Sequence, residues 1–86
     1  MPGPPYRIDW LPAARADVRR IDRPTAMRIF DTVRHFSETG GGDVAPLHGD
    51  LSGGFRLRSG DHRVLFELKG NFMQVYAVRH RSEVYR

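Results

Sequence analysis

The chain has 86 residues, no cysteine and a formal net charge of +4. This length predicts a single domain over residues 1–86 with a modest core, and we expect residues 1–5 to form a flexible N-terminal segment. The absence of cysteine excludes disulfide frameworks and thiol catalysis and is compatible with a reducing compartment. The opening residues MPGPPY do not resemble a signal peptide, and no apolar run is as long as a membrane span. We therefore expect a cytoplasmic protein with no membrane partner.

The positive charge lies in the C-terminal part of the chain. Residues 1–54 hold seven arginines and seven acidic residues, whereas residues 55–86 hold seven cationic residues and three acidic ones, which accounts for the whole charge of +4. Only Lys69 among the 14 cationic residues is a lysine. Because guanidinium groups suit bidentate contacts with phosphate and carboxylate, this pattern indicates a surface for a polyanion or an acidic protein.

The first three predicted elements are a strand and two helices. Residues 6–10 (YRIDW) alternate apolar and polar side chains, which is the period of a strand. Residues 11–21 fit a short helix with Pro12 in its first turn. A second helix begins near Pro24 and ends at the glycines 40–42. Two helices joined by so short a turn predict an antiparallel helical hairpin.

The rest of the chain is predicted to be mostly strand. Residues 40–54 are expected to form a loop with two apolar anchors, Leu47 and Leu51. Three strands follow, joined by turns whose glycine and asparagine residues suit tight hairpins, at residues 55–58, 63–69 and 72–79. The predicted fold class is α+β: an N-terminal strand, an antiparallel helical hairpin and a three-stranded antiparallel meander, with the helices packed on one face of the sheet.

Strand parity separates an apolar face from a basic one, because successive strand residues point to opposite sides. The side chains expected to face the helices are Phe55, Leu57, Val64, Phe66 and Leu68. The open face receives Arg56, Arg58, Arg63 and Arg79. In the last strand, parity predicts Tyr76 and Val78 on one face and Val75, Ala77 and Arg79 on the other. Four arginines on one face, with few carboxylates to pair them, favour an anion site over a merely solvated surface.

The last ten residues, AVRHRSEVYR, form a cationic cluster with one phenol. The side chains that follow the last predicted strand or end it are Arg79, His80, Arg81 and Tyr85. By parity, His80 points away from Arg79, toward the helices. Tyr85 either takes part in chemistry or anchors the tail by packing its ring on the sheet. Glu83 is expected to pair with Arg79 or Arg86.

The histidines do not indicate a metal site. The four of them, at positions 35, 48, 62 and 80, lack the spacing of metal ligands and have no cysteine partners. We expect His35 to be an exposed helix residue and His62 to fill the SGDHR turn. Paired carboxylates with the spacing of a glycosidase are absent from the basic half.

Two stretches of the sequence carry a resemblance to a known family. PLHGDLSGGFRLRSGDHRVLFEL together with VYAVRHRSEVYR is similar to the RelE/ParE superfamily of toxins of type II toxin–antitoxin systems. The closing HRSEVY resembles the RelE branch more than the gyrase-poisoning ParE branch. The resemblance implies a RelE-like fold and ribosome-dependent cleavage of mRNA, in which the ribose 2′-OH attacks the adjacent phosphate without a metal ion or other cofactor.

The resemblance also implies roles for particular residues. The RNA-binding residues are Arg56, Arg58, Arg63 and Arg81. The catalytic group comprises Arg79, Tyr85, Arg63 and His80. Arg79 is implied to stabilise the charge of the cleaved phosphate, and Tyr85 to help deprotonate the ribose hydroxyl. Relatives have lysines where Arg56 and Arg58 stand here. Because arginine does not release its proton, these two residues can neutralise charge but cannot act as a base.

The resemblance implies two partners, a ribosome with mRNA in its decoding site and a small acidic antitoxin that forms a hetero-oligomer with the toxin. We expect the antitoxin to cover the open face, including an apolar patch of Leu65, Val75 and Ala77. Two other functions stay open: a ParE-like gyrase inhibitor and a non-catalytic protein that only binds an antitoxin. A general RNA-binding module is a weaker alternative, because the aromatic residues mostly have core parity.

Overall fold

The computed structural model describes residues 3–84. The elements in chain order are strand β1 (Arg7–Trp10), helix α1 (Pro12–Arg19), helix α2 (Arg23–Thr39), strand β2 (Val44–Pro46), a 3-10 turn (Gly49–Leu51), strands β3 (Phe55–Ser59), β4 (His62–Lys69) and β5 (Phe72–His80), and the short helix α3 (Arg81–Val84). Within residues 3–84 the five strands form one sheet in the order β1-β5-β4-β3-β2. The α+β class and the antiparallel meander β3-β4-β5 are confirmed.

The helix ends follow from local chemistry. Proline stands at the start of both α1 and α2, as predicted. The carboxylate of Asp22 caps α2 by accepting the backbone N–H of Thr25 at 3.2 Å and the Thr25 hydroxyl at 2.9 Å. These hydrogen bonds lower the pKa of Asp22 below its ordinary value, and the one from the Thr25 hydroxyl has the larger effect. Gly40 ends α2 with a φ of 75°, a conformation that glycine adopts without strain.

The two helices pack mainly on the sheet. α1 lies against β5, and α2 lies against β3, β1 and β4. The predicted core face is confirmed: Leu57, Val64 and Phe66 are fully buried against Ile29 and Val33 of α2. Phe55 and Leu68, also predicted on this face, are partly buried against the same core. Both α1 and α2 therefore pack on the same face of the sheet.

β1 pairs in parallel with β5, so the first strand lies beside the last. Residues 3–5 precede it and are exposed, whereas residues 1–2 of the predicted flexible segment lie outside the described residues. None of the helices in residues 3–84 is long and apolar enough to cross a membrane.

The prediction of a loop over residues 40–54 is wrong in part. This segment contains β2, which pairs antiparallel with β3, and the 3-10 turn. Backbone hydrogen bonds hold it to β3, including one from Arg58 N–H to the carbonyl of Asp43 at 2.9 Å. Leu47 is half-buried, but Leu51 is 48% exposed and does not anchor the segment. Three residues are too few to show a strand period, so the edge strand arises from pairing with β3.

A β-bulge in β5 changes its predicted faces. Leu65 pairs with Ala77 but Phe66 pairs with Val75, which leaves Tyr76 as an extra residue. Val75 is therefore in the core with Val78, and the prediction that it shares the open face with Ala77 is wrong. Tyr76 lines the same open-face cavity as Leu65 and Ala77. The predicted bare patch of Leu65, Val75 and Ala77 does not exist, since all three are buried.

Candidate nucleic-acid interface and catalytic site

Three arginines stand side by side at one end of the open face. Arg58 of β3 pairs with Arg63 of β4, and Arg63 pairs with Arg79 of β5. Arg56 lies one row further in, beside Leu65. We call Arg58, Arg63 and Arg79 the arginine row. The arginine row together with Arg56 is the arginine cluster. Strand parity predicts this juxtaposition, and the sheet register shows it.

The expectation that few carboxylates pair these arginines is wrong for Arg58 and Arg79. Arg58 Nη1 lies 3.9 Å from Asp43 Oδ2, and Arg79 Nη1 forms an ion pair with Asp17 Oδ2. Asp43 comes close because it precedes the edge strand β2, and Asp17 because α1 packs on β5. Within residues 3–84, Arg56 of the arginine cluster forms no ion pair. The cluster is therefore partly neutralised by the protein itself.

Arg63 is buried, with 5% of its surface exposed. Its Nη1 donates to the carbonyl oxygens of Gly60 and His62, both at 3.2 Å. These two contacts tie the guanidinium to the turn between β3 and β4. Arg63 thus has a structural role in the hairpin. Its predicted catalytic and RNA-binding roles stay predictions.

Asp17 is a residue of the site that the sequence did not indicate. Its side chain is 13% exposed, and its Oδ2 accepts the backbone N–H of Val78 at 2.9 Å in addition to the Arg79 guanidinium. β1 ends opposite Val75, so the edge of β5 beyond that point has no strand partner. Asp17 supplies the missing acceptor and holds Arg79 at the same time. A partner 61 residues away leaves no local pattern that could reveal this role.

Replacing Asp17 by alanine is expected to lower the free energy of unfolding by about 2–3 kcal/mol, because it removes two hydrogen bonds to a charged acceptor. Urea unfolding measures this loss. Asp17→Asn keeps an oxygen for Val78 N–H and is expected to lose about half as much. Asp31 pairs with Arg34 at 3.3 Å on the exposed surface of α2, so the control Asp31→Ala should change stability by less than about 0.5 kcal/mol. Equal losses for the two alanine variants would contradict the assignment.

Two imidazoles lie at the same end of the sheet. His62 opens β4 and pairs with His80 at the end of β5, with ring centroids 5.5 Å apart and planes at 88°. Both line a cavity of about 270 Å³ with Thr25 and Arg28 of α2, so His80 lies on the helix side, as predicted. His80 Nδ1 accepts the backbone N–H of Ser82 at 3.3 Å and lies 3.0 Å from its hydroxyl.

Arg79 and His80, predicted to point apart, line one cavity of about 510 Å³. The Arg79 side chain reaches Asp17 on α1, and it lines the open-face cavity of Leu65, Tyr76 and Ala77 as well. The full lining is Asp17, Arg20, Ile21, His62, Val78, Arg79, His80 and Glu83. We call this space the terminal cavity. It brings together the Arg79 guanidinium and the imidazoles of His62 and His80.

The other residues of the terminal cluster are less constrained. Arg81 is exposed, and its backbone N–H donates to the carbonyl of Asp61 at 2.7 Å. Glu83 Oε1 accepts the backbone N–H of His80 at 3.1 Å, whereas the predicted partner Arg79 pairs with Asp17. Tyr85 and Arg86 lie outside the described residues. In the described part of the chain, no three histidine or acidic side chains are grouped as metal ligands.

Residues 8–85 match the family described as the ParE toxin of type II toxin-antitoxin system, parDE. The chain belongs to this toxin family. A search of curated proteins finds no match. The family carries the ParE name, so the predicted assignment to the RelE branch stays a prediction.

Solved structures show the same fold. The toxin–antitoxin complex RelBE2 from Mycobacterium tuberculosis matches with a TM-score of 0.82 and 22% identity over 92% of this chain and 94% of that one. The YoeB/ParE toxin from Agrobacterium tumefaciens matches with a TM-score of 0.71 and 25% identity over 86% of this chain and 97% of that one. The RelB-RelE complex from Methanococcus jannaschii matches with a TM-score of 0.73 and 18% identity over 90% of this chain and 94% of that one. The predicted RelE/ParE superfamily is thereby confirmed.

Proposed function

We propose that this toxin is a metal-independent endoribonuclease that cuts mRNA on the ribosome, in the cytoplasm, by attack of a ribose 2′-OH on the adjacent phosphate. The observation that carries the proposal is the terminal cavity, where the Arg79 guanidinium lies with two imidazoles at the end of the arginine row. A site that only binds a protein partner has no need of proton-transfer groups beside a guanidinium.

The chemistry divides among few groups. A guanidinium at Arg79 stabilises the charge that develops on the phosphorane. Arginine cannot serve as the base, so proton removal falls to Tyr85 in the first place and to His80 in the second. So small an acid–base set predicts slow cleavage of free RNA. Docking in the ribosomal decoding site supplies the orientation that the toxin lacks by itself.

An acidic antitoxin is the proposed protein partner. The similar structures include complexes named as RelB-RelE and YoeB-YefM. The excess positive charge of residues 55–86 and the exposed side chain of Leu51 at an open-face cavity suit a partner that is acidic with apolar contacts. We propose that the antitoxin covers this face in a hetero-oligomer and thereby blocks the arginine cluster.

Inducible expression with mapping of message ends tests the proposed function. We expect growth arrest, new 5′ ends within translated codons and recovery when the antitoxin is co-expressed. Purified toxin mixed with message but no ribosomes should leave the message uncut, because the ribosome is required. Arrest without cut messages would remove the support for a ribonuclease.

A gyrase inhibitor is the second candidate. The family match carries the ParE name, and the ion pair of Arg79 with Asp17 reduces the charge available to RNA. The same cells then show gyrase-dependent breaks in DNA while their messages stay intact.

The salt dependence of ribosome binding tests the arginine cluster. Arg56 has no ion pair within residues 3–84, so Arg56→Ala is expected to flatten the slope of log K against log salt by about one unit. Arg56→Lys should keep the slope, since the contact is with phosphate charge. Arg34 lies exposed on α2, and Arg34→Ala is the control with an unchanged slope. If Arg56→Ala leaves the slope as it is in the parent, the RNA lies elsewhere.

A further inference from the structure

The imidazole of His62 stands out among the polar groups of the terminal cavity. It is half-buried at the start of β4, between Ser59 of β3 and His80 of β5. None of the groups in residues 3–84 hydrogen-bonds to its ring, whereas the Nδ1 of His80 is engaged by Ser82. As far as residues 3–84 are concerned, both ring nitrogens of His62 are therefore available to a ligand in the two cavities that it lines.

Cleavage needs a proton for the 5′ oxygen that leaves, and few groups here can supply one. The charged groups that face the two imidazoles from α1, α2, the β3–β4 turn, β5 and α3 are Asp17, Arg20, Arg28, Asp61, Arg79 and Glu83. Arginines do not release a proton, and ionised carboxylates only accept hydrogen bonds. Imidazole both holds and releases a proton near neutral pH. Among the described residues that line the two cavities, the two histidines are the donors that remain, and His62 has the less engaged ring.

We propose that His62 is a catalytic residue, the general acid that protonates the leaving 5′ oxygen. The inference rests on the proposed ribonuclease function. The 2′ oxygen forms its bond to phosphorus as the P–O5′ bond breaks, and the electron pair of that bond moves to O5′, which takes the proton of His62. The proton of the 2′-OH goes to the base, the role implied for Tyr85. The products are a 2′,3′-cyclic phosphate and a 5′-hydroxyl, and nothing is oxidised or reduced.

The surroundings of His62 suit this role. The ring of His80 packs edge-on against the His62 ring, with the two planes at 88°. Arg79 lines the same cavity, so a phosphate held by its guanidinium lies in the space that His62 faces. The pairing of Asp17 with Arg79 through Nη1 fixes the guanidinium at the wall of that space.

The test compares two messages on programmed ribosomes under single-turnover conditions. One is an ordinary message, and the other carries sulfur in place of the bridging 5′ oxygen at the cut. A thiolate leaves without a proton, so the sulfur message has no need of a general acid. His62→Gln is expected to cut the ordinary message about 10²–10⁴-fold more slowly than the parent and to cut the sulfur message at close to the parent rate. The fall in rate with rising pH, which reports loss of the acid's proton, should disappear in the variant.

The control is His35→Gln on the outer surface of α2, which should match the parent on both messages. Urea unfolding and ribosome binding of His62→Gln establish that it folds and docks, and His62→Asn repeats the test with a shorter side chain. A rate within about threefold of the parent on the ordinary message overturns the inference and leaves the ribonuclease proposal standing. Slow cleavage of both messages also overturns it, since His62 would then act in binding or structure. A parent that cuts neither message on the ribosome overturns the proposed function and this inference with it.

Discussion

Arg79→Ala is expected to lower single-turnover cleavage of ribosome-bound mRNA by about 10²–10³-fold, because the variant loses a preorganised charge donor at the phosphorane. Arg79 reaches the terminal cavity and is fixed there by Asp17. The guanidinium is thus in place before substrate arrives. Arg79→Lys retains the positive charge but loses the planar guanidinium, which can donate two parallel hydrogen bonds. Its rate should therefore lie between those of the parent and the alanine variant.

The fold must be monitored in this experiment, because Arg79→Ala leaves the Asp17 carboxylate without its ion-pair partner. Urea unfolding and ribosome affinity separate a folding defect from a loss of transition-state stabilisation. Arg34→Ala removes an exposed arginine from α2 and serves as the control with the parent rate. Cleavage by Arg79→Ala at the parent rate, in a folded and bound protein, would place the stabilising charge on another residue.

Tyr85→Phe is expected to slow the same step by about 10²–10⁴-fold, since it removes a proton-transfer group. The substitution keeps the ring that would anchor the tail and removes only the hydroxyl. Tyr76→Phe is the matched control. Burial raises the pKa of Tyr76, and the nearby carboxylate of Glu67 raises it further to a smaller extent. The hydroxyl therefore stays protonated to higher pH, and a protonated phenol does not act as a base. Tyr76→Phe should therefore cut at the parent rate.

The result for Tyr85→Phe decides between the two interpretations of the tail. A parent rate would make Tyr85 structural and His80 the next candidate for the base. If His80→Gln also cuts normally, the C-terminal cluster binds anions and performs no proton removal. The His62 experiment is independent of this outcome, because it follows the proton of the leaving oxygen.

Most of the helices and strands were predictable because each is long enough to show a repeating pattern of apolar and polar residues. Alternation in YRIDW and in residues 63–69 gave strands, and the proline and glycine positions marked both helices. β2 was missed, since a three-residue edge strand depends on its neighbour more than on its own residues. The bulge at Tyr76 was missed because FMQVYAVR is apolar on both faces, so parity has no contrast that would reveal an extra residue.

The candidate site was predictable in part for the same reasons. Parity placed Arg56, Arg58 and Arg63 on one face, since each lies in a strand with a clear apolar side. Parity could not show where a long side chain ends. The Arg79 guanidinium leaves its row for Asp17, 62 residues earlier in the chain, and this contact exists only after α1 has packed on β5.

The parallel pairing of β1 with β5 has a consequence for how the toxin is made. The N-terminus of a nascent chain leaves the ribosome first, yet residues 7–10 pair with residues 72–75, which are synthesised near the end. α1 depends on the same late strand, because Asp17 binds the backbone of Val78. Closing so distant a contact costs chain entropy before it yields stability. A fragment released by a stalled ribosome before β5 is synthesised cannot close the sheet, so the cell obtains folded toxin only from chains that include the last strand.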